Sequence, residues 1–93
     1  MTRSDRGVFA ISVAAAMVSM EVQNLRVYER RGLLRPDRTA GGTRLYSADD
    51  VERLERIRDL LAEGLNLAGI ARVLDLEDEI DRLRKRLARA DSA

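Results

Sequence analysis

Residues 25–57 read LRVYERRGLLRPDRTAGGTRLYSADDVERLERI, and this stretch decides the fold. It begins inside an amphipathic segment that predicts a helix over residues 22–31. The two faces of that helix carry Val22, Leu25 and Tyr28 or Glu29 on one side, and Gln23, Arg26, Val27 and Arg30 on the other. Gly32 predicts the C-cap of the helix.

The segment after this helix predicts a small β-hairpin. Pro36 excludes a helix there, and Gly41 followed by Gly42 is typical of a hairpin turn. Arg38 and Arg44 flank the turn. A basic hairpin at this place is typical of the wing of a winged helix, which contacts the DNA backbone or minor groove. An ordinary surface loop made soluble by its arginines is the alternative.

The sequence before the helix predicts a second, shorter helix. Val8 to Ile11 favours a small strand, and Ser12 is a candidate N-cap for the run VAAAMV, which ends near Ser19. Two short helices joined by a tight turn predict a helix-turn-helix. The fold class is therefore mainly α, a winged helix-turn-helix with a small β-hairpin wing.

The sequence after the hairpin predicts two further helices. Ser47 and Asp50 have the spacing of a capping box, so a helix starts at Ala48. Gly64 ends that helix, and Asn66 predicts the N-cap of the next one. The apolar stripes that complete the core are Val51, Leu54, Ile57, Leu60 and Leu61, followed by Leu67, Ile70, Val73 and Leu74.

The C-terminal segment carries a heptad pattern that predicts a short coiled-coil helix for dimerisation. Its apolar residues recur at steps of four and three and are Leu76, Ile80, Leu83, Leu87 and Ala90. The alternative is a terminal helix that folds back on its own core. The expected organisation is a flexible N-terminus over residues 1–8, a DNA-binding domain over residues 9–75 and a dimerisation helix over residues 76–93.

The composition excludes several kinds of chemistry. The 93 residues include neither cysteine nor histidine, which excludes disulfides, Cys/His zinc sites and histidine acid-base catalysis. We expect no enzyme activity, no cofactor, no metal and no small-molecule effector. No apolar run is long enough to span a membrane, and the serines within the apolar start argue against a signal peptide. A cytoplasmic, nucleoid-associated protein is expected.

The net charge of +1 conceals an asymmetry between the two halves. Residues 1–46 contain eight arginines and four acids, whereas residues 47–93 contain nine basic and twelve acidic residues. This distribution predicts a phosphate-facing half and a scaffold half. The alternative is that solvated helices simply differ in charge.

The motifs of the chain resemble those of the MerR family of transcription regulators. The likeness extends from Phe9 to Leu76, through Leu-Arg-x-Tyr-Glu-Arg-x-Gly-Leu at residues 25–33, Arg-x-Tyr at 44–46 and Ser-x-x-Asp at 47–50. Within the family, the segments ISVAAAMVSMEVQNLRVYER, TAGGTRLYS and EGLNLAGIARVL resemble the heat-shock repressor (HspR-like) branch.

The resemblance implies a set of DNA-binding residues. Gln23, Asn24 and Arg26 are expected in the major groove, where amides suit adenine and guanidinium suits guanine or phosphate. Tyr28 and Arg44 are expected on phosphates, with Arg30, Arg31, Arg38 and Tyr46 as further candidates. Either tyrosine ring could instead belong to the core. Two departures are Val27, where many members have a second tyrosine, and Glu21, which occupies the usual capping position and would repel phosphate.

The resemblance also implies partners and a function. Family members bind pseudo-palindromic promoter DNA as homodimers, so we expect a repressor on double-stranded DNA, with heat-shock or chaperone genes as targets. The heat-shock branch further implies an Hsp70-type chaperone, DnaK, as co-repressor. Two alternatives are an excisionase-like architectural protein that coats DNA, and a protein-interaction module that uses the acidic C-terminal half.

Overall fold

The computed structural model describes residues 4–92, in which four helices surround one core and a two-stranded hairpin lies beside them. The elements are α1 (Ile11–Met17), α2 (Val22–Arg30), β1 (Asp37–Arg38), β2 (Arg44–Leu45), α3 (Ala48–Ala62) and α4 (Leu67–Ser92). β1 and β2 pair antiparallel. The mainly helical winged helix-turn-helix with a C-terminal helix is therefore confirmed.

The core lies where α1, α2, α3 and the start of α4 meet. Leu25, Leu54, Ile57 and Ile70 are fully buried there, one or two from each of the three longer helices. Burying an aliphatic side chain of this size contributes about 2 kcal/mol. The predicted apolar stripes thus face one another, apart from Leu61, which stays exposed.

Helix ends follow the local signals in the sequence at three places. The Ser47 hydroxyl accepts from the backbone N–H of Asp50, whose carboxylate accepts from the backbone N–H of Ser47, both over 2.9 Å. The side chain of Asn66 caps α4 by accepting from the N–H of Gly69 at 2.8 Å. Gly32 has a φ of 76°, a conformation that glycine adopts without strain, and it ends α2 as predicted.

The start of α1 differs from the prediction. Its N-cap is Ala10, without a side-chain hydrogen bond, so Ser12 lies within the helix and does not cap it. The predicted strand over Val8 to Ile11 is reduced to one antiparallel bridge between Phe9 and Tyr46. That long-range bridge fixes the chain up to Phe9, so Ala10 is extended and the helix begins directly after it.

The residues before α1 are held against the wing. Gly7 donates its N–H to the Asp37 carboxylate at 2.8 Å, and Val8 donates to the Tyr46 carbonyl at 2.9 Å. Leu45 packs so closely on Gly7 that a Cβ there would lie 2.4 Å from the Leu45 carbonyl oxygen. Flexibility was expected for residues 1–8, of which residues 1–3 lie outside the described residues, whereas residues 7 and 8 are hydrogen-bonded to the hairpin.

α4 is one continuous helix through the expected boundary at residue 75. Its first two turns contribute Ile70 and Leu74 to the core, and beyond Leu74 the apolar side chains rotate away by about a third of a turn. The exposed fractions are 63% for Leu76, 46% for Ile80, 45% for Leu83 and 64% for Leu87. The helix therefore does not fold back on its own core. None of the helices over residues 4–92 is both long and apolar enough to cross a membrane.

Candidate nucleic-acid interface

The helix-turn-helix is formed by α1, a turn and α2, and it is fixed on α3. Ser19 in the turn has a φ of 55°, which a non-glycine residue rarely adopts. The backbone carbonyl of Val18, at the end of α1, accepts a hydrogen bond from Nη1 of Arg58 at 3.0 Å. Because Arg58 belongs to α3, this bond helps to set the position of the turn that leads into α2.

α2 presents the predicted polar residues to solvent. Leu25 and Tyr28 are its buried residues. The predicted DNA-binding residues that are exposed on α2 and at its C-cap are Gln23, Asn24, Arg26, Arg30 and Arg31. At 3.6 residues per turn, Gln23, Arg26 and Arg30 form one stripe, whereas Asn24 and Arg31 lie farther round the helix. The outer face thus offers amide and guanidinium groups without a competing carboxylate on the stripe.

The wing is a short hairpin in which Arg38 and Arg44 are cross-strand partners. Its loop closes through a hydrogen bond from the N–H of Gly42 to the carbonyl of Thr39 at 2.9 Å. Gly42 has a φ of 87°, the left-handed conformation that three-residue hairpin loops require at their last position. Two like charges opposite each other on a hairpin destabilise it unless a counter-charge is near.

Glu29 of α2 supplies that counter-charge. Nε of Arg44 lies 2.8 and 2.6 Å from the two carboxylate oxygens of Glu29, and Nη2 of Arg38 lies 3.0 Å from Oε1. The Glu29 side chain is only 14% exposed. The hydrogen bond to Glu29 raises the pKa of Arg44 above its ordinary value. One carboxylate therefore joins the wing to α2.

The two tyrosines lie in the core. Tyr46 is completely buried, and its hydroxyl has no hydrogen-bond partner in the part of the chain that the structure describes. A hydroxyl without exposed surface cannot touch a phosphate, so we remove Tyr46 from the candidate contacts. Tyr28 is 4% exposed. Burial raises the pKa of both phenols.

Two residues of this region were missed by sequence reasoning. Glu29 was considered only as a possible member of the buried face of its helix, and Arg53 was not considered. Arg53 donates through Nε to the carbonyl of Leu33 and through Nη1 to Asp78 of α4 at 3.3 Å. Both roles depend on segments that are distant in sequence, so a single sequence carries no local signal for them.

The sequence of the chain matches a known protein family. Residues 9–77 match the profile described as MerR HTH family regulatory protein. The chain belongs to the MerR family. The MerR match covers α1, α2, the wing, α3 and the buried part of α4. It confirms the family that the motifs at residues 25–50 indicated.

Several MerR relatives are similar over most of the chain. A Streptomyces coelicolor protein assigned as heat shock protein HspR is 47% identical over 90 residues, which are 96% of this chain and 60% of that protein. The transcriptional regulator GlnR of Bacillus anthracis is 38% identical over 76 residues, 82% of this chain and 59% of GlnR. The chain thus spans about 60% of the length of these relatives.

Solved structures show the same fold. The N-terminal part of MtaN, the multidrug transporter activator of Bacillus subtilis, superposes with a TM-score of 0.69 at 28% identity. The alignment covers 91% of this chain and 90% of that structure. Together these similarities show that the chain carries the helix-turn-helix domain of the MerR family.

Proposed function

We propose that this MerR regulator is a repressor that binds a pseudo-palindromic promoter site as a homodimer. One observation carries the proposal: the exposed polar face of α2 and the arginine of the wing are joined by Glu29 into one surface. Gln23, Asn24 and Arg26 contact base edges in the major groove, whereas Arg44 contacts a phosphate of the backbone. Arg30 and Arg31 add contacts at the edge of this surface. Tyr28, whose ring lies in the core, adds one through its remaining 4% of exposed surface.

The exposed row of apolar side chains on α4, which we call the seam, supports the homodimer. We call residues 75–92 of α4 the arm. Four large apolar side chains of the arm remain between 45% and 64% exposed, and they lie along one line of the helix: Leu76, Ile80, Leu83 and Leu87. Isolated surface hydrophobics need no partner, but a contiguous row at heptad spacing is the pattern that pairs helices.

The charges of the arm support the same conclusion and give the pair a direction. Residues 75–81 contain five acids, whereas residues 82–89 contain five basic residues. Two arms that pair antiparallel place the acidic half of one beside the basic half of the other, whereas parallel arms place like charges together. The ion pair between Lys85 and Asp81 at 2.9 Å lies within one arm and is exposed, so it can exchange partners on pairing.

The proposed targets rest on the likeness to one relative. The likeness to the heat shock protein HspR supports heat-shock or chaperone genes as the regulated genes. We further propose that the protein acts in the cytoplasm with the Hsp70-type chaperone DnaK as co-repressor. MtaN is an activator by its name, and for this chain we propose repression instead. The test is a reporter gene under a promoter that the protein binds. If the protein represses, expression of the reporter is higher without the protein than with it.

The experiment that tests the proposal is selection of bound fragments from the genomic DNA of the source organism, followed by footprinting of the enriched fragment. A single protected site of operator size with two-fold related halves supports a promoter-specific dimer. Protection that spreads along the DNA with protein concentration contradicts it and indicates the excisionase-like architectural function.

Salt dependence tests DNA binding itself. A protein that neutralises several phosphates releases their counterions, so its affinity falls steeply as salt rises. A flat dependence contradicts both DNA functions and favours a protein-interaction module.

A further inference from the structure

Arg38 and Arg44 face each other on the wing, but their guanidinium groups are used differently. Arg38 donates through Nη2 to Glu29 at 3.0 Å and through Nη1 to the carbonyl of Gly42 at 3.0 Å. Both of its terminal nitrogens are therefore engaged within the protein. Arg44 uses only Nε on Glu29, and its two terminal nitrogens make no hydrogen bond to any of residues 4–92. Of these two arginines, only Arg44 has both terminal nitrogens without a hydrogen bond to the residues that the structure describes.

We infer that Glu29 is a positioning residue of the DNA interface: its carboxylate holds Arg44 by Nε and leaves both terminal nitrogens for one DNA phosphate, while Arg38 only fastens the wing. The inference rests on the proposed DNA contact of the wing. A guanidinium that is fixed before binding loses less side-chain entropy on binding, and its two terminal donors match the oxygens of a phosphate.

A simple charge argument gives the opposite expectation for Glu29. A carboxylate next to the DNA repels phosphates, so its neutralisation should raise the affinity for any DNA. Positioning instead predicts that neutralisation lowers the affinity for the specific site. The sign of the change therefore separates the two explanations.

The test compares Glu29→Gln with the matched control Glu21→Gln. Both substitutions remove one negative charge near α2, but the exposed Glu21 makes no side-chain cap, and over residues 4–92 it forms no hydrogen bond or ion pair with the wing. Affinity is measured by fluorescence anisotropy over a range of NaCl concentrations. The probes are the duplex recovered by the genomic selection and a scrambled duplex of the same length and composition.

The expected result is opposite for the two variants. Glu29→Gln lowers affinity for the selected duplex about tenfold and reduces the magnitude of its log–log salt slope by about 1, because one phosphate contact is lost. Its affinity for the scrambled duplex does not fall. Glu21→Gln raises affinity for both duplexes. If Glu29→Gln also raises affinity for both, the inference is overturned.

A double-mutant cycle shows whether Glu29 acts through Arg44. In an Arg44→Ala background, Glu29→Gln causes no further loss of affinity for the selected duplex if the inference is correct. A further tenfold loss in that background overturns it. Arg44→Lys keeps the charge but lacks the guanidinium fork, so it should lose as much affinity as Glu29→Gln, and this variant decides the matter if Glu29→Gln fails to fold.

The free protein provides a readout that needs no DNA. The Nε–H proton of Arg44 should exchange slowly in nitrogen-15 NMR spectra of the wild type and rapidly in Glu29→Gln. Rapid exchange in the wild type overturns the inference. Failure of the proposed function appears elsewhere, because the wild type would then bind the selected and scrambled duplexes equally.

Discussion

Arg58 of α3 donates a hydrogen bond from Nη1 to the backbone carbonyl of Val18, 40 residues earlier in the chain, over 3.0 Å. Val18 is the C-cap residue of α1, where carbonyl groups lose their partners within the helix. The bond therefore satisfies a helix end and also ties the turn of the helix-turn-helix to α3.

Arg58→Ala should destabilise the fold by about 1 kcal/mol and lower Tm by about 5 °C, because a charged hydrogen bond to a helix end is lost. Thermal unfolding followed by circular dichroism measures this. Arg72→Ala is the control, since Arg72 is exposed on α4 and makes no hydrogen bond to residues 4–92. Equal Tm values for the two variants would show that the Val18 contact does not stabilise the fold.

Arg26→Ala should weaken binding to the selected duplex by about 1–3 kcal/mol and relax its base preference at one position, because Arg26 is proposed to contact a base edge. Binding is measured on the selected duplex and on single-base variants of it. Because Arg26 is exposed, the Tm of the Arg26→Ala variant should stay within about 2 °C of the wild-type Tm. A uniform loss across all duplexes would instead place Arg26 on a phosphate.

Tyr46→Phe should leave DNA binding unchanged and raise the free energy of unfolding by about 1 kcal/mol, because it removes a buried hydroxyl without a partner. Chemical denaturation and anisotropy give the two quantities. Tyr28→Phe is the comparison, since Tyr28 is the remaining tyrosine proposed to reach a phosphate. A loss of affinity in Tyr46→Phe would show that the ring moves out of the core on binding.

The pH dependence of stability should be flat near neutrality and fall in alkali. The sequence has no histidine or cysteine, the two side chains whose ordinary pKa lies between about 6 and 9. Burial raises the pKa of Tyr46 above its ordinary value of 10.0, so the unfolded chain loses this proton at a lower pH than the folded protein. The free energy of unfolding is therefore unaffected by Tyr46 below pH 10.0 and falls as pH rises from there through the raised pKa. Denaturation across this range measures the loss, which should be smaller in Tyr46→Phe.

Leu83→Asp should convert the proposed dimer into a monomer, because a buried charge would replace an apolar residue of the seam. Sedimentation equilibrium should give the monomer mass of 10.5 kDa for this variant and twice that mass for the wild type. Ala88→Asp adds the same charge off the seam and should remain dimeric. A wild-type protein that is monomeric at every concentration would contradict dimerisation through the seam.

Local signals predicted most of the fold. Ser47 with Asp50, Gly32 and Asn66 act on neighbours within a few residues, and each behaves as its local sequence indicated. Ser12 failed as a cap because the bridge between Phe9 and Tyr46 fixes the chain just before α1. A contact across 37 residues outweighed a local preference, and periodicity within one segment cannot show that.

The candidate site was predicted only in part for the same reason. The exposed face of α2 follows from helical spacing, so Gln23 and Arg26 are found where expected. The role of Glu29 appears only once the hairpin has closed and brought Arg44 beside it. Whether a tyrosine hydroxyl is buried depends on packing from several elements, which explains why the sequence left Tyr46 open between a DNA contact and the core.

The unbroken course of α4 has a mechanical consequence for the proposed dimer. From residue 75 to residue 92 the arm extends about 27 Å at 1.5 Å per residue, and no glycine or proline interrupts it. At its base, Arg53 and Arg56 of α3 pair with Asp78 at 3.3 Å and Glu77 at 2.8 Å, which stiffens the joint. In the proposed dimer, two such stiff arms would hold the two DNA-binding domains at a fixed distance. If the spacing of the half-sites on DNA differs from that distance, the DNA has to bend or untwist, because the arm has no hinge with which the protein could adjust.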